Sequence, residues 1–535
     1  MRAAPIPATI LWLACLAQAA CTHAPRAEVA AEAAQVPAPT PRLAVVVVVD
    51  QMRADYLTRY RPYFTGGFQR LLSEGRDFPD AWVDHAYTNS LPGHTTVLTG
   101  AYPRRHGIVD NIWREIGPAG VELKSAFSVV DRRDGAPYAL DAATLPEWVV
   151  AQDPRAKFAA IGSNDAPRVY AGQLRGPVFW YARDGRPYIT NDNYAPAVPD
   201  WVVAFNDGRV RELAGTDWRS SIPAALAAQL RPDDSAFENG DGQRAFPYLA
   251  PADASKRLAW LTGTPAADQA TLELAALATE RLELGADDIP DVLAISLNSL
   301  DEIGHAYGPF SHEQTDAVLK LDVALGRFMA RLDELVGAGQ WVMALTADHG
   351  VNTTPEQRRL DGSDEGVRVS QETARELAEA AYAAAEGIED PVARAAAAAR
   401  RIERFPFIER AYTEQEVSAF VPDPRTREGL LALSYRPGRI PEHPLYIRDL
   451  AVAALGVYVL PKQAVMMDWG TAIHGSPYEY DRRVPLVVYG ASVAPGTSAQ
   501  RAATVDVAPT LAGLIGVRPR DAVDGRDLLE ADPGP

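Results

Sequence analysis

LAVVVVVD, Leu43 to Asp50, is the stretch on which the fold turns. A run of β-branched residues without polar alternation fits a strand buried on both faces, as in a parallel sheet covered by helices on each side. The run stops at Asp50 and continues as QMRADYL. A carboxylate at the carboxyl end of a central strand stands where open α/β sheets place their sites. A helix N-cap is the local alternative.

Working outward, four more apolar runs read as strands: 157–162, 292–298, 341–347 and 484–489. Amphipathic helices are expected at 145–152, 270–284, 313–336 and 505–515. Strands alternating with helices predict an α/β fold, a mostly parallel central sheet with helices on both faces. Two segments break the alternation and are expected to form a cap. Residues 172–250 are rich in Pro, Asn and aromatics, among them Trp180, Tyr181, Tyr188, Tyr194 and Trp201, and read as an irregular insertion. Residues 356–465 contain an Ala-rich helical stretch, 371–404, broken near Gly387 and Pro391.

The 535 residues are 47% hydrophobic and 23% charged, as in a globular protein. A net charge of −18 opposes binding to a nucleic-acid duplex. It leaves a small anionic substrate open, since a bound cation can reverse the field inside a pocket. Residues 1–21 read as an export signal: Arg2, the apolar ATILWLACLAQAA, and Ala19-Ala20-Cys21, which resembles the end of a lipoprotein box. The apolar stretch is too short to span a bilayer. The expectation is export to the periplasm, either with a lipid on Cys21 as the membrane anchor or, since Ala17-Gln18-Ala19 fits a small-x-small cleavage site, with a free Ala20. Residues 22–42 read as an Ala/Pro tether, and 43–535 as the catalytic domain. Cys15 and Cys21 are the two cysteines, so the mature chain has no internal disulfide. The sequence gives no reading of oligomeric state.

A second stretch, YTNSLPGHTTVLTGAYPRRHGIVDN (87–111), places Ser90 ahead of a short helix that ends at Gly100. There a hydroxyl is either a cap or a nucleophile near a positive helix end. Around it stand clusters of Asp and His at the strand ends. SLDEIGHAYGP carries Asp301 and His305, four apart and so on one helical face. TADHG carries Asp348 and His349, and AIHGSP carries His474. Carboxylates mixed with imidazoles suit zinc and similar divalent ions. His94 and His106 are expected to fix the loops by hydrogen bonds. His23, His85, His312 and His443 have no cluster around them.

Asp50, Ser90-x-Pro-Gly-His94, Asn111, Asp301-x-x-x-His305, Asp348-His349 and His474-Gly occur in the order seen in the alkaline phosphatase superfamily. HGIVDN, TADHG and HGSPYEYDRRVPLVVYG resemble more narrowly its type I phosphodiesterase/nucleotide pyrophosphatase branch, including that branch's single-chain bacterial alkaline phosphatases. The resemblance runs from Leu43 to the C-terminus. It implies a hydrolase of small phosphate esters with two zinc ions per chain. Asp301, His305 and His474 would hold one. Asp50, Asp348 and His349 would hold the other, with the Ser90 oxygen as a further ligand. Ser90 stands where the branch usually has Thr and would form a phosphoserine intermediate, with Thr88 the fallback. Asn111 would contact a phosphoryl oxygen.

One departure bears on substrate. The branch's monoesterases carry Lys-x-Arg after the strand matching 157–162, and here those positions are Asn164 and Ala166. Two charge-assisted contacts to a dianion are missing. Asn164 is kept as a candidate substrate contact, and Arg168 or Lys157 as candidate replacements for the cations. The expectation is phosphodiester hydrolysis. The alternatives are an alkaline phosphatase-type monoesterase and a zinc-binding protein without turnover. Sulfatase chemistry is disfavoured because the formylglycine motif is absent.

Overall fold

A computed structural model of the chain describes residues 40–117, 120–126, 140–182, 184–239, 242–442, 452–467 and 470–530. The export signal, Cys21, nearly all of the tether and His443 lie outside the described residues.

Eight strands form the central sheet: β1 (Leu43–Val49), β2 (Arg76–Asp77), β3 (Phe158–Gly162), β4 (Val178–Trp180), β5 (Asp291–Leu297), β6 (Trp341–Thr346), β7 (Leu486–Gly490) and β8 (Gly496–Thr497). Their order is β8-β2-β7-β6-β1-β5-β3-β4. β1 lies between β5 and β6, parallel to both, with Val45 opposite Leu293 on one side and Met343 on the other. β7 is antiparallel to β6 and to β2. The mostly parallel α/β fold expected from the sequence is therefore the fold observed.

The apolar run of β1 divides by the period of two that a strand imposes. Leu43, Val45, Val47 and Val49 enter a core with residues of the helices Ala266–Arg281 and His312–Leu332. Ala44, Val46 and Val48 face the other core, with Val97 and Leu98 of the helix Ser90–Thr99, Trp148 of Leu145–Gln152 and Leu511 of Val507–Leu514. Full burial of each such valine or leucine contributes roughly 1.5–3 kcal/mol.

Three strands escape the sequence reading. β2 and β8 have two residues each, too few for a pattern. β4 falls inside 172–250, so that segment supplies a sheet strand as well as irregular chain. The Ala-rich stretch forms two helices, Gln371–Ala385 and Pro391–Ile402, separated at Gly387, where φ is 72°. They pack with the strand pair Ile408–Thr413 and Val457–Pro461 in a separate core.

Candidate metal centre and nucleophile

The parallel strands deliver side chains to one edge of the sheet. Asp50 follows β1 directly, Asp348 lies two residues after β6, and Asn164 two after β3. Asp301 and His305 sit on the helix Ser299–Tyr307 that follows β5. Because β7 is antiparallel, its start faces this same edge, and His474 comes from the loop that leads to it.

Gln51 joins these groups, although no motif or spacing marks it. Its backbone N–H donates to Asp348 Oδ1 (3.2 Å) and its Nε2 to Asp301 Oδ1 (2.5 Å). It has φ of 63° and is fully buried. A left-handed non-glycine residue at such a place stores strain that its surroundings must hold. Gly304 makes room for it, since a Cβ there would lie 1.9 Å from Gln51 Oε1.

Each of the three histidines read as ligands is oriented the same way. Nδ1 of His305 meets the Ala472 carbonyl at 2.7 Å, Nδ1 of His349 the Gly350 carbonyl at 2.9 Å, and Nδ1 of His474 the Thr88 carbonyl at 2.9 Å. A carbonyl only accepts, so Nδ1 carries the proton and Nε2 is directed at the carboxylates. His305 Nε2 is 3.2 Å and His474 Nε2 3.6 Å from Asp301 Oδ1. His349 Nε2 is 3.3 Å from both Asp50 Oδ1 and Asp348 Oδ2. The His349 and His474 rings stack with centroids 3.6 Å apart.

His94 departs from the loop-fixing role expected of it. It is fully buried, with Nδ1 2.5 Å from the Tyr170 hydroxyl and Nε2 3.5 Å from Asp50 Oδ2 and 3.4 Å from Asp348 Oδ2. Two sets of ligand atoms are compact enough for one ion each: Asp50, His94 and Asp348, and Asp301, His349 and His474. His94 is four residues after Ser90, so one helical face carries both; that spacing was the available signal.

Four of the converging ligand atoms are left without a partner: Asp50 Oδ1, Asp348 Oδ2, His94 Nε2 and His349 Nε2 are buried with no hydrogen bond. Burial, then the charge of Asp301, raises the Asp50 carboxyl well above its usual range; burial, then Asp50, does the same to Asp348. Burial drives His349 well down. Burial would also raise Asp301, but His305 and His474 outweigh it and bring it to about 2. Asp301 in turn overcomes burial and pushes His305 up to about 9. Orphaned oxygens and nitrogens converging in a dry site are the donor set that a divalent cation satisfies.

Ser90 is the first residue of its helix, and Asn89 takes the capping position without a side-chain cap bond. The helix therefore takes in Ser90, expected just ahead of it, and Pro92 and Gly93 lie in its first turn. The Ser90 side chain lies against Asp50 and helps to hold its negative charge. A Cβ on Gly93 would meet the Asp348 carbonyl oxygen at 2.5 Å, so glycine is what lets this helix approach the end of β6. Asn111 Oδ1 accepts from Leu91 N–H at 2.9 Å, which fixes the amide and directs Nδ2 away from that bond. Thr88 is buried, its hydroxyl donating to the Ser476 carbonyl (3.0 Å) and accepting from Gly475 N–H (3.2 Å).

The remaining candidates lie as follows. His106 Nε2 meets Thr96 Oγ1 at 3.2 Å and its Nδ1 accepts from Ile108 N–H at 3.1 Å, which fastens the loop. Lys157 Nζ donates to the carbonyls of Leu282 and Glu283, at the opposite end of β3 from Asn164. The Arg168 guanidinium lies 5.4 Å from the Trp180 ring centroid. Ala166 is buried. The Asn164 amide bonds to Asp50, Asn298, Ser296 and Ala166 N–H.

A hydroxyl at a helix start, set against paired groups of Asp and His on the carboxyl edge of a parallel sheet, describes a class of phosphoric ester hydrolases. The profile of the type I phosphodiesterase / nucleotide pyrophosphatase family matches residues 44–479, and the chain belongs to that family, within the alkaline phosphatase superfamily. Among its relatives, alkaline phosphatase PhoK of Sphingomonas sp. is 29% identical over 93% of this chain and 92% of its own. Alkaline phosphatase PafA of Elizabethkingia meningoseptica is 32% identical over 58% of this chain and 60% of its own. A crystal structure of wild-type PafA superposes with a TM-score of 0.78 at 24% identity, covering 92% of this chain and 98% of that one, which establishes the common fold. The chain is a phosphoric ester hydrolase with candidate metal-binding groups at its sheet edge.

Proposed function

We propose that this enzyme hydrolyses phosphodiesters through a phosphoserine at Ser90, with two zinc ions per chain. Asp301, His305 and His474 would hold one ion, and Asp50, Asp348 and His349 the other, beside the Ser90 oxygen. The three Nε2 atoms directed at carboxylates, and the orphaned Asp50 Oδ1 and Asp348 Oδ2, support this reading. When bound, such a pair neutralises charge on the attacking and leaving oxygens of an in-line phosphoryl transfer and lowers the pKa of a bound hydroxyl.

The chain's own groups do the rest. Ser90 Oγ loses its proton to solvent and bonds to phosphorus as the bond to the leaving oxygen breaks, and that oxygen takes a proton from solvent to depart as the alcohol. Water then attacks the phosphoserine, releasing Ser90 and the remaining phosphate ester. Asn111 Nδ2, aimed by the bond from Leu91 to its Oδ1, donates to a phosphoryl oxygen. The observation that carries the diester preference is Asn164 and Ala166, a fully bonded neutral amide and a buried methyl where the monoesterases carry two cations. A monoester dianion loses more from that exchange than a diester monoanion.

The naming of PhoK, a relative along nearly its whole length, as an alkaline phosphatase favours a second reading, a monoesterase. Zinc-loaded protein assayed with bis-aryl and mono-aryl phosphates separates the two. A higher kcat/KM for the bis-aryl ester supports the diesterase; a preference for the mono-aryl ester overturns it. Zinc bound without turnover of any phosphate ester would favour the silent zinc protein.

No helix among the described residues is long and apolar enough to cross a membrane. We propose export with lipidation of Cys21. Mass spectrometry of the mature N-terminus is expected to find a lipidated Cys21; a free Ala20 would refute the lipid anchor, and a chain that retains Met1 would refute export.

A further inference from the structure

Asn164 stands where the monoesterases of the branch carry a lysine. Its hydrogen bonds assign it elsewhere. Nδ2 donates to Asp50 Oδ2 at 3.2 Å and to Asn298 Oδ1 at 2.9 Å. Oδ1 accepts from Ser296 Oγ at 2.7 Å and from Ala166 N–H at 3.0 Å. A carboxamide has two N–H donors and two lone pairs, so all four are in use and none is left for a phosphoryl oxygen. The amide is held by fixed points: Ser296 belongs to β5, and Asn298 is anchored by its own N–H to Ser163 Oγ at 2.7 Å.

We propose that Asn164 is a positioning residue for the metal ligand Asp50, tying down Oδ2 so that Oδ1 is presented to the ion on the side of His349. Oδ1 is the oxygen without a partner and the one that His349 Nε2 faces at 3.3 Å. A carboxylate free at both oxygens can rotate between one- and two-oxygen coordination. One locked through Oδ2 would offer a single oxygen to the ion, held in place before the ion arrives. The inference rests on the two-metal reading above and adds that this site holds one of its ligands through a four-bond amide network that Lys at position 164 could not duplicate: Lys could donate to Asp50, but it supplies no acceptor for Ser296 or for Ala166 N–H.

The test is zinc affinity, measured on metal-free protein against a competing chelator and apart from any assay of turnover. Loss of an outer partner of a metal ligand typically weakens binding about 10- to 100-fold. Asn164→Ala is expected to weaken one of two zinc sites by that factor and leave the other unchanged. The visible spectrum of the cobalt(II)-substituted protein should shift as the Asp50 coordination loosens. Ser296→Ala, which releases the amide without touching Asp50, should give a smaller loss in the same site. In zinc-saturated Asn164→Ala, the ratio of diester to monoester kcat/KM should be unchanged. Unaltered zinc affinity in both variants, with a raised KM or a changed substrate ratio, would make Asn164 a substrate contact and overturn the proposal. A wild-type protein that binds no zinc would instead strike down the two-metal reading.

Discussion

At the scale of the residue, Ser90 and Gln51 show what a side chain's neighbours decide. A serine at the start of a helix is most often structural, but here Asn89 stands in the cap position and Ser90 lies against Asp50. Ser90→Ala is expected to lower kcat by orders of magnitude, and Ser90→Thr to retain part of it. A purely structural serine would cost only about 1 kcal/mol of stability with near-normal turnover, and that result, or a phosphorylated peptide mapped to another residue, would refute the assignment. Gln51→Asn keeps a side chain that tolerates the left-handed backbone but shortens the arm that reaches Asp301. We expect kcat/KM to fall about tenfold or more, by analogy with other outer partners of metal ligands, with an unchanged far-UV spectrum. Unchanged kcat/KM would show that the bond to Asp301 is dispensable. Residues such as Asp301 and His349 were legible in the sequence because each stands beside a strand end or in a glycine-containing turn. Gln51 and His94 were not, because their partners are set by where distant strands meet.

At the scale of the element, the helix Ser90–Thr99 is seated by close approach. Gly93 abuts the backbone of Asp348, and an added Cβ would meet its carbonyl oxygen at 2.5 Å and its Cα at 2.9 Å. Backbone cannot swing aside as a side chain can. Gly93→Ala should therefore displace Ser90 from the Asp50 carboxylate. Overpacking of this kind costs about 1–3 kcal/mol, and a displacement near 1 Å can lower turnover about 100-fold. Thermal unfolding and kcat, measured together, check this; a variant with wild-type values for both would refute the wedge. Long apolar strands such as β1 and β5 were readable because both faces are buried. β4 was hidden among aromatics, and two-residue strands such as β2 exist only through the partner that flanks them.

At the scale of the whole molecule, two conditions should move stability. Chelation should lower the melting temperature, because the metals bind the folded chain; at a free concentration 100 times Kd each bound ion adds about 2.7 kcal/mol. A chelator without effect on melting or activity would refute metal dependence. Glu313 supplies a pH dependence of its own. It is fully buried, with Oε1 accepting from the Tyr248 hydroxyl at 2.7 Å and Oε2 without a partner. Burial pushes its carboxyl up to about 8, with Glu238 and Asp233 adding to the rise and Tyr248 opposing it. The folded chain then keeps a proton that the unfolded chain has lost. That contribution to stability is complete below the ordinary glutamate value of 4.5 and disappears as pH rises toward 8. Glu313→Gln should remove it, so wild type should lose melting temperature relative to the variant across that range. A constant difference would refute the assignment.

The place of β1 in the sheet also governs how the chain is made. Its two neighbours, β5 and β6, begin some 240 and 290 residues further along. At about 5–20 residues per second of synthesis, VVVVV spends roughly 12–48 s emerged and unpaired before the first of them exists. An apolar strand with both edges open is a template for joining another chain. The nascent protein is therefore expected to need a holding chaperone more than its finished stability would suggest. A circular permutant starting at Asp291, which would synthesise β5 and β6 before β1, should aggregate less during expression.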